Sequence, residues 1–146
     1  MAFWSKPQIW SNLIFILPVS VAIINGYLLG AILLIATFIV SIIYHSFQEE
    51  VDVQWFFLRK NVPTSEFIAG VLDYVCSILL VVLLTTRFFS NGPSNFMTAI
   101  FAVLVIIGFI IFLGPNYFSF LNRWTVTRSH SMWHIVSGII ATITLV

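Results

Sequence analysis

The stretch YLLGAILLIATFIVSIIYHSF, from Tyr27 to Phe47, contains no Asp, Glu, Lys or Arg. At a rise of about 1.5 Å per residue, a helix of that length spans roughly 30 Å, the thickness of a bilayer's hydrocarbon core. The charge-free territory around it is wider still, from Pro7 to Gln48, and it recurs from Phe88 to Asn122 and from Ser129 to Val146. Hydrophobic residues make up 60% of the 146 and charged residues 8%, with a mean hydropathy of +1.08. A soluble domain of this size must wet much of its surface and cannot hide so much apolar area. The chain reads as an integral, multi-pass membrane protein. Its fold class is all-α, a polytopic transmembrane helix bundle of about five spans in a single domain, 1–146.

Working outward, a first span is expected over 8–25 and a second over 27–47, with Asn25-Gly26 as the turn of a tight helical hairpin. Pro18 is expected to kink the first span, because proline removes one bond of the helical ladder. The polar loop from Gln48 to Ser65 carries Glu49, Glu50, Asp52, Arg59 and Lys60, and its apolar segment Val53–Leu58 suits the membrane interface. A third span follows over 65–86, then a loop from Phe88 to Ser94. The fourth span covers 93–113, closed by Gly114-Pro115, and an amphipathic stretch from Tyr117 to Thr127 leads to the fifth, 126–146. The N-terminal apolar stretch is too long for a cleavable signal and runs straight into a second span. A single cysteine, Cys76, excludes an intramolecular disulfide. The net charge of +1, from cations scattered over loops, offers nucleic acid no basic patch.

Five spans fix which polar residues share a face of the membrane. If X is the face at which the second span ends, His45 lies near it. The third span starts at X, so Asp73 sits about two turns inside. The fourth returns to X, and the fifth starts there with His130 and His134 in its first turns. Ser41, His45, Asp73, His130 and His134 therefore meet in one leaflet. Trp4, Trp10, Trp55, Trp124 and Trp133 also map to X or just below it, as tryptophans at a headgroup boundary do. Lys6, Arg59, Lys60, Arg123 and Arg128 map to X against Arg87 opposite, so the positive-inside rule places X and the N-terminus in the cytoplasm.

This convergence carries the chemistry. Asp73 costs roughly 2.5–3.5 kcal/mol to insert and needs a partner; alone, it fits a structural hydrogen bond to Tyr44 or Ser41. His130 and His134, one helical turn apart, project from one face; alone, they fit hydrogen bonds to headgroups. Together with His45 they are all the histidines of the chain. Three imidazoles around zinc leave a fourth tetrahedral position open, the mark of a catalytic site. Zinc lowers the pKa of its bound water toward neutrality. A carboxylate beside it can orient that water or take its proton, and a hydroxyl one turn from His45 can donate to a developing oxyanion.

Ser41-x3-His45, Asp73 and His130-Ser-Met-Trp-His134, in that order, resemble the signature of the membrane superfamily that joins alkaline ceramidases, adiponectin/progestin receptors, GPI-lipid remodelling factors and the myomaker group. The resemblance rests on these motifs and not on the rest of the chain. It implies zinc held by the three histidines, a water placed by Asp73 and Ser41, and hydrolysis of an amide or ester in a membrane lipid, ceramide-like or phospholipid-like. Family members usually have seven spans, so this chain reads as a shortened version. Removing two spans keeps the parity that assembles the site. It leaves the lipid pocket open to the bilayer or walled by a second protomer in a homo-oligomer.

The expected function is thus a zinc-dependent intramembrane hydrolase cleaving a lipid amide or ester by zinc-activated water. His45, His130 and His134 would be the ligands and Asp73 and Ser41 the catalytic residues. The alternative is a non-enzymatic, receptor-like or fusion-type membrane protein stapled by structural zinc. A haem between His45 and His130 or His134 leaves Asp73 unexplained. A transporter would need polar residues in both leaflets, and the half opposite X is almost purely apolar.

Overall fold

The computed structural model describes residues 6–47, 62–117 and 123–146, with the side chains of 113–117 and 123–129 excepted. The loop segment 53–58, the loop charges, and the side chains of Trp4, Trp55, Trp124, Arg123 and Arg128 lie outside the described residues. The fold is an all-α bundle with no strand among the described residues. Its elements are α1 (Pro7–Ser11), a 3-10 turn (Asn12–Phe15), α2 (Ile16–Ile24), α3 (Leu28–Phe47), α4 (Thr64–Ser90), α5 (Asn95–Tyr117) and α6 (Arg123–Ile143).

The first span is a composite. Pro18 has no N–H to give to the carbonyl of residue 14, and its ring crowds that carbonyl. The backbone tightens into the 3-10 turn Asn12–Phe15 just ahead of it, which is the form the expected distortion takes. After α2, Gly26 adopts φ +68°. The Tyr27 N–H reaches the Ala22 carbonyl at 2.8 Å and the Gly26 N–H reaches that of Ile23 at 3.0 Å. This paired closure satisfies two carbonyls at the helix end and reverses the chain toward α3, as the Asn25-Gly26 reading requires.

Two helices run longer than the sequence predicts. α4 continues through Ser90, where a loop was expected from Phe88. Its last turns are held by tertiary contacts: Phe88 is buried and stacks on Phe101 at 4.8 Å, and the Arg87 guanidinium lies 4.2 Å over the Tyr27 ring. The α5 backbone stays helical through Gly114 and Pro115 to Tyr117; proline forfeits a single backbone bond, which a membrane helix tolerates near its end.

α3 packs on α4, α5 packs on α6, and the α1–α2 span lies between α3 and α6. Phe15, Ala22, Leu34, Leu80, Leu84 and Leu145 are buried together at the centre. The outside is apolar: Ile24, Leu28, Ile78, Phe96 and Ile110 are exposed, and almost none of α5 is buried. In water such a surface would cost about 25 cal/mol per Å². Against hydrocarbon it costs nothing of the kind. Pro7–Ile24, Leu28–Phe47, Thr64–Ser90 and Asn95–Phe112 are long and apolar enough to cross a membrane, and the protein is a membrane protein. α6 supplies the helix expected over 126–146. At 21 residues it has the length; the side chains of 123–129 lie outside the described residues, among which the four spans are counted.

Candidate metal centre

The centre is built where the α3 C-terminus, α1 and α6 come together. His45 lies in the last turn of α3 and is 1% exposed. The end of that helix is tied down from the other end of the bundle's first span. Lys6, which precedes α1, donates from Nζ to the main-chain carbonyls of His45 at 3.1 Å and Ser46 at 3.0 Å. An ammonium there meets both the unpaired carbonyls and the negative end of the helix dipole. It also sets the start of the first span beside the end of the second, as the parity of spans demands.

His130 and His134 are one turn apart on α6 and face His45. The His130 Nε2 is 3.2 Å from His45 Nε2 and 3.1 Å from His134 Nε2. The ring centroids form a triangle with sides of 4.8, 4.8 and 5.1 Å. Each residue offers a ligand nitrogen, all within 4.8 Å of one another, so the group could hold a metal ion. A tetrahedral ion with nitrogen ligands at about 2.0–2.1 Å needs nitrogen pairs about 3.3–3.4 Å apart. The two short separations are within a few tenths of an ångström of that.

Hydrogen bonding alone accounts less well for the triangle. Each Nε2 has either one proton or one lone pair, yet His130 Nε2 is in contact with two others. The protonation of His134 sharpens this. Its Nδ1 lies 3.1 Å from Ser11 Oγ, and the Ser11 hydroxyl lies 3.0 Å from the Gln8 carbonyl, to which it donates. The Gln8 carbonyl is also a hydrogen-bond partner of the His134 ring. With the Ser11 hydroxyl donating to Gln8, its lone pairs are left for His134 Nδ1, and the tautomer that carries its proton there presents an Nε2 lone pair to the cluster. A cation relieves lone pairs crowded in this way. The residues present fit a divalent ion that takes imidazole.

Ser41 and Asp73 form a second group. Ser41 lies one turn before His45 on α3, about 6 Å deeper, and is buried. Its side chain is the hydrogen-bond partner of the Asp73 carboxyl on α4. The other carboxyl oxygen, Asp73 Oδ1, is buried and has no partner among the described residues. Tyr44, buried against Ala69 with Tyr74 beside it, packs α3 to α4 near this pair. The five residues expected at the site lie on α3, α4 and α6, with the three histidines in one cluster and the Ser41–Asp73 pair between α3 and α4. The Ser41 hydroxyl meets the Asp73 carboxyl, one of the two partners the sequence suggested for that aspartate.

Sequence reasoning missed Lys6, Gln8 and Ser11. They precede or open the first span and look like interface residues; only the register of α1 against α6 reveals their roles. Glu66, in the first turn of α4, is 1% exposed. Two more buried polar atoms, Asn12 Oδ1 and Ser137 Oγ, have no partner among the described residues. Compared with known proteins, the chain matches no family model, no curated protein and no solved structure.

Proposed function

We propose that this protein is a zinc-dependent hydrolase that works within the membrane on an amide or ester bond of a lipid. The observation that carries the reading is the approach of three imidazole Nε2 atoms, 3.1 and 3.2 Å apart, with a buried carboxyl on the adjoining helix. His45, His130 and His134 hold the ion. Zinc, when bound, supplies Lewis acidity and lowers the pKa of a coordinated water toward about 7.

The chain's own residues do the rest. Asp73 orients the attacking water and takes its proton on Oδ1, the oxygen with no partner among the described residues. The Ser41 hydrogen bond fixes the carboxyl in one rotamer for that task. Asn12 Oδ1 and Ser137 Oγ, also without a partner among the described residues, offer further places for water or for the polar head of a substrate. The apolar exterior of α4 and α5 accommodates acyl chains directly from the bilayer. The substrate is then a membrane lipid, ceramide-like or phospholipid-like, and the resemblance of the Ser-His, Asp and His-His motifs to lipid amidases supports the same class.

The experiment is metal analysis of the detergent-purified protein followed by a hydrolysis screen on ceramides and phospholipids. Near-stoichiometric zinc, lost in His134→Ala, together with release of fatty acid, is the expected result. A wild-type protein that stays metal-free after zinc has been offered removes the hydrolase. Bound zinc without turnover, and unfolding on chelation, would instead assign the ion a structural role in a receptor-like protein.

A further inference from the structure

We infer that Ser11, acting with the Gln8 main-chain carbonyl, is a positioning residue that fixes the tautomer and ring plane of His134 and so aims its Nε2 at the metal centre. The inference rests on the metal-binding reading above and goes beyond it by bringing the first span into the site.

The geometry is a short relay. The Ser11 hydroxyl donates to the Gln8 carbonyl at 3.0 Å, and its lone pairs are then turned toward His134 Nδ1, 3.1 Å away. The Gln8 carbonyl is itself a hydrogen-bond partner of His134. A hydroxyl whose one proton is given to Gln8 accepts from Nδ1–H and has nothing to donate to a deprotonated Nδ1. Ligating histidines depend on such outer contacts, because the hydrogen bond at one nitrogen decides what the other presents to the metal.

The sequence builds the relay locally. Pro7 starts α1 in its first turn, where a missing N–H costs nothing. Gln8 and Ser11 are three residues apart and therefore on one face of the helix. Gln8 is 8% exposed and Asn12, also donating to the Gln8 carbonyl at 2.8 Å, is fully buried. The Gln8 carbonyl thus serves as a hub that cannot swing away. Lys6 at one side and the 3-10 turn at the other hold the register.

The test uses the full chain in detergent, as wild type, Ser11→Ala and Ser11→Thr. Zinc affinity measured by competition with a chelating dye should fall about 10- to 100-fold in Ser11→Ala, the usual loss for an outer-contact residue, and should return in Ser11→Thr, which keeps the hydroxyl. Nitrogen-15 NMR of histidine-labelled, metal-free protein should show His134 as the Nδ1–H tautomer in the wild type and a mixture in Ser11→Ala. Unchanged affinity in Ser11→Ala overturns the inference, as does an equal loss in both variants, which would mean that packing and not the hydroxyl matters. If the wild type binds no zinc, the proposed function fails, and the tautomer spectrum still decides the role of Ser11: an Nε2–H wild type overturns it.

Discussion

Two residues divide the labour that the histidines cannot do themselves. Asp73 has one carboxyl oxygen engaged by Ser41 and the other buried with no partner among the described residues, which in the proposed function leaves it for a proton. Asp73→Asn keeps the shape and the Ser41 contact but cannot take a proton. Turnover should fall at least about 100-fold while zinc content stays near that of the wild type; comparable turnover in the variant would refute the assigned role. Lys6 works through the backbone. Its two hydrogen bonds close the end of α3 beside His45, so Lys6→Met should lower stability by about 0.5–1 kcal/mol. Thermal unfolding in detergent would read this as a modest drop in midpoint, with metal still bound at saturating zinc.

At the scale of elements, the first span is the part whose irregularity matters. The 3-10 turn Asn12–Phe15 directly follows Ser11 and carries Ile14, and both it and α1 pack on α6. Ile14 then lies so close to Gly138 that a Cβ there would fall 2.7 Å from Ile14 Cγ2. Gly138 is one turn beyond His134, so this contact seats α6 against the span that holds Ser11. Gly138→Ala should weaken zinc binding and lower stability by about 1–3 kcal/mol through overpacking, and Ile14→Ala in the same chain should restore part of both. A double-mutant cycle showing simple additivity would remove the contact as the cause. At the hairpin, Gly26 holds φ +68° with open space around it. Gly26→Ala therefore pays only the backbone cost of about 1–2 kcal/mol, measurable as a lower unfolding midpoint.

For the molecule as a whole, orientation in the membrane is the open consequence of the fold. Lys6 and His45 adjoin at one face, and Asn91 follows α4 at the other. We propose that the metal-centre face is cytoplasmic, from the bias of Lys and Arg toward it. Single-cysteine variants at Lys6 and Asn91, in a chain with Cys76→Ala, should then react oppositely with a membrane-impermeant maleimide applied to intact cells: Asn91→Cys labelled, Lys6→Cys protected until permeabilisation. The reverse pattern would invert the protein and put its metal centre outside.

Much of this was legible from the chain alone, for a physical reason. The bilayer demands helices about 20 residues long and penalises unpaired charge, so long charge-free runs disclose an all-α membrane bundle before any contact is known. Alternation of spans then forces His45, His130 and His134 to one face, and helical spacing puts the last two on one stripe. Other features depend on contacts between segments far apart in the chain. The extent of α4 was set by Phe88 on Phe101 and Arg87 on Tyr27, which no local propensity encodes. The pairing of Ser41 with Asp73, and of Ser11 with His134, depends on the rotation and depth of one helix against another. Hydropathy fixes the depth of a span only to within a turn and leaves its rotation free. Packing of Ile14 against Gly138 and of Tyr44 against Ala69 supplies what hydropathy omits. Hydropathy and helical spacing limit which residues can meet; packing, acting over ångströms where hydropathy acts over turns, selects those that do.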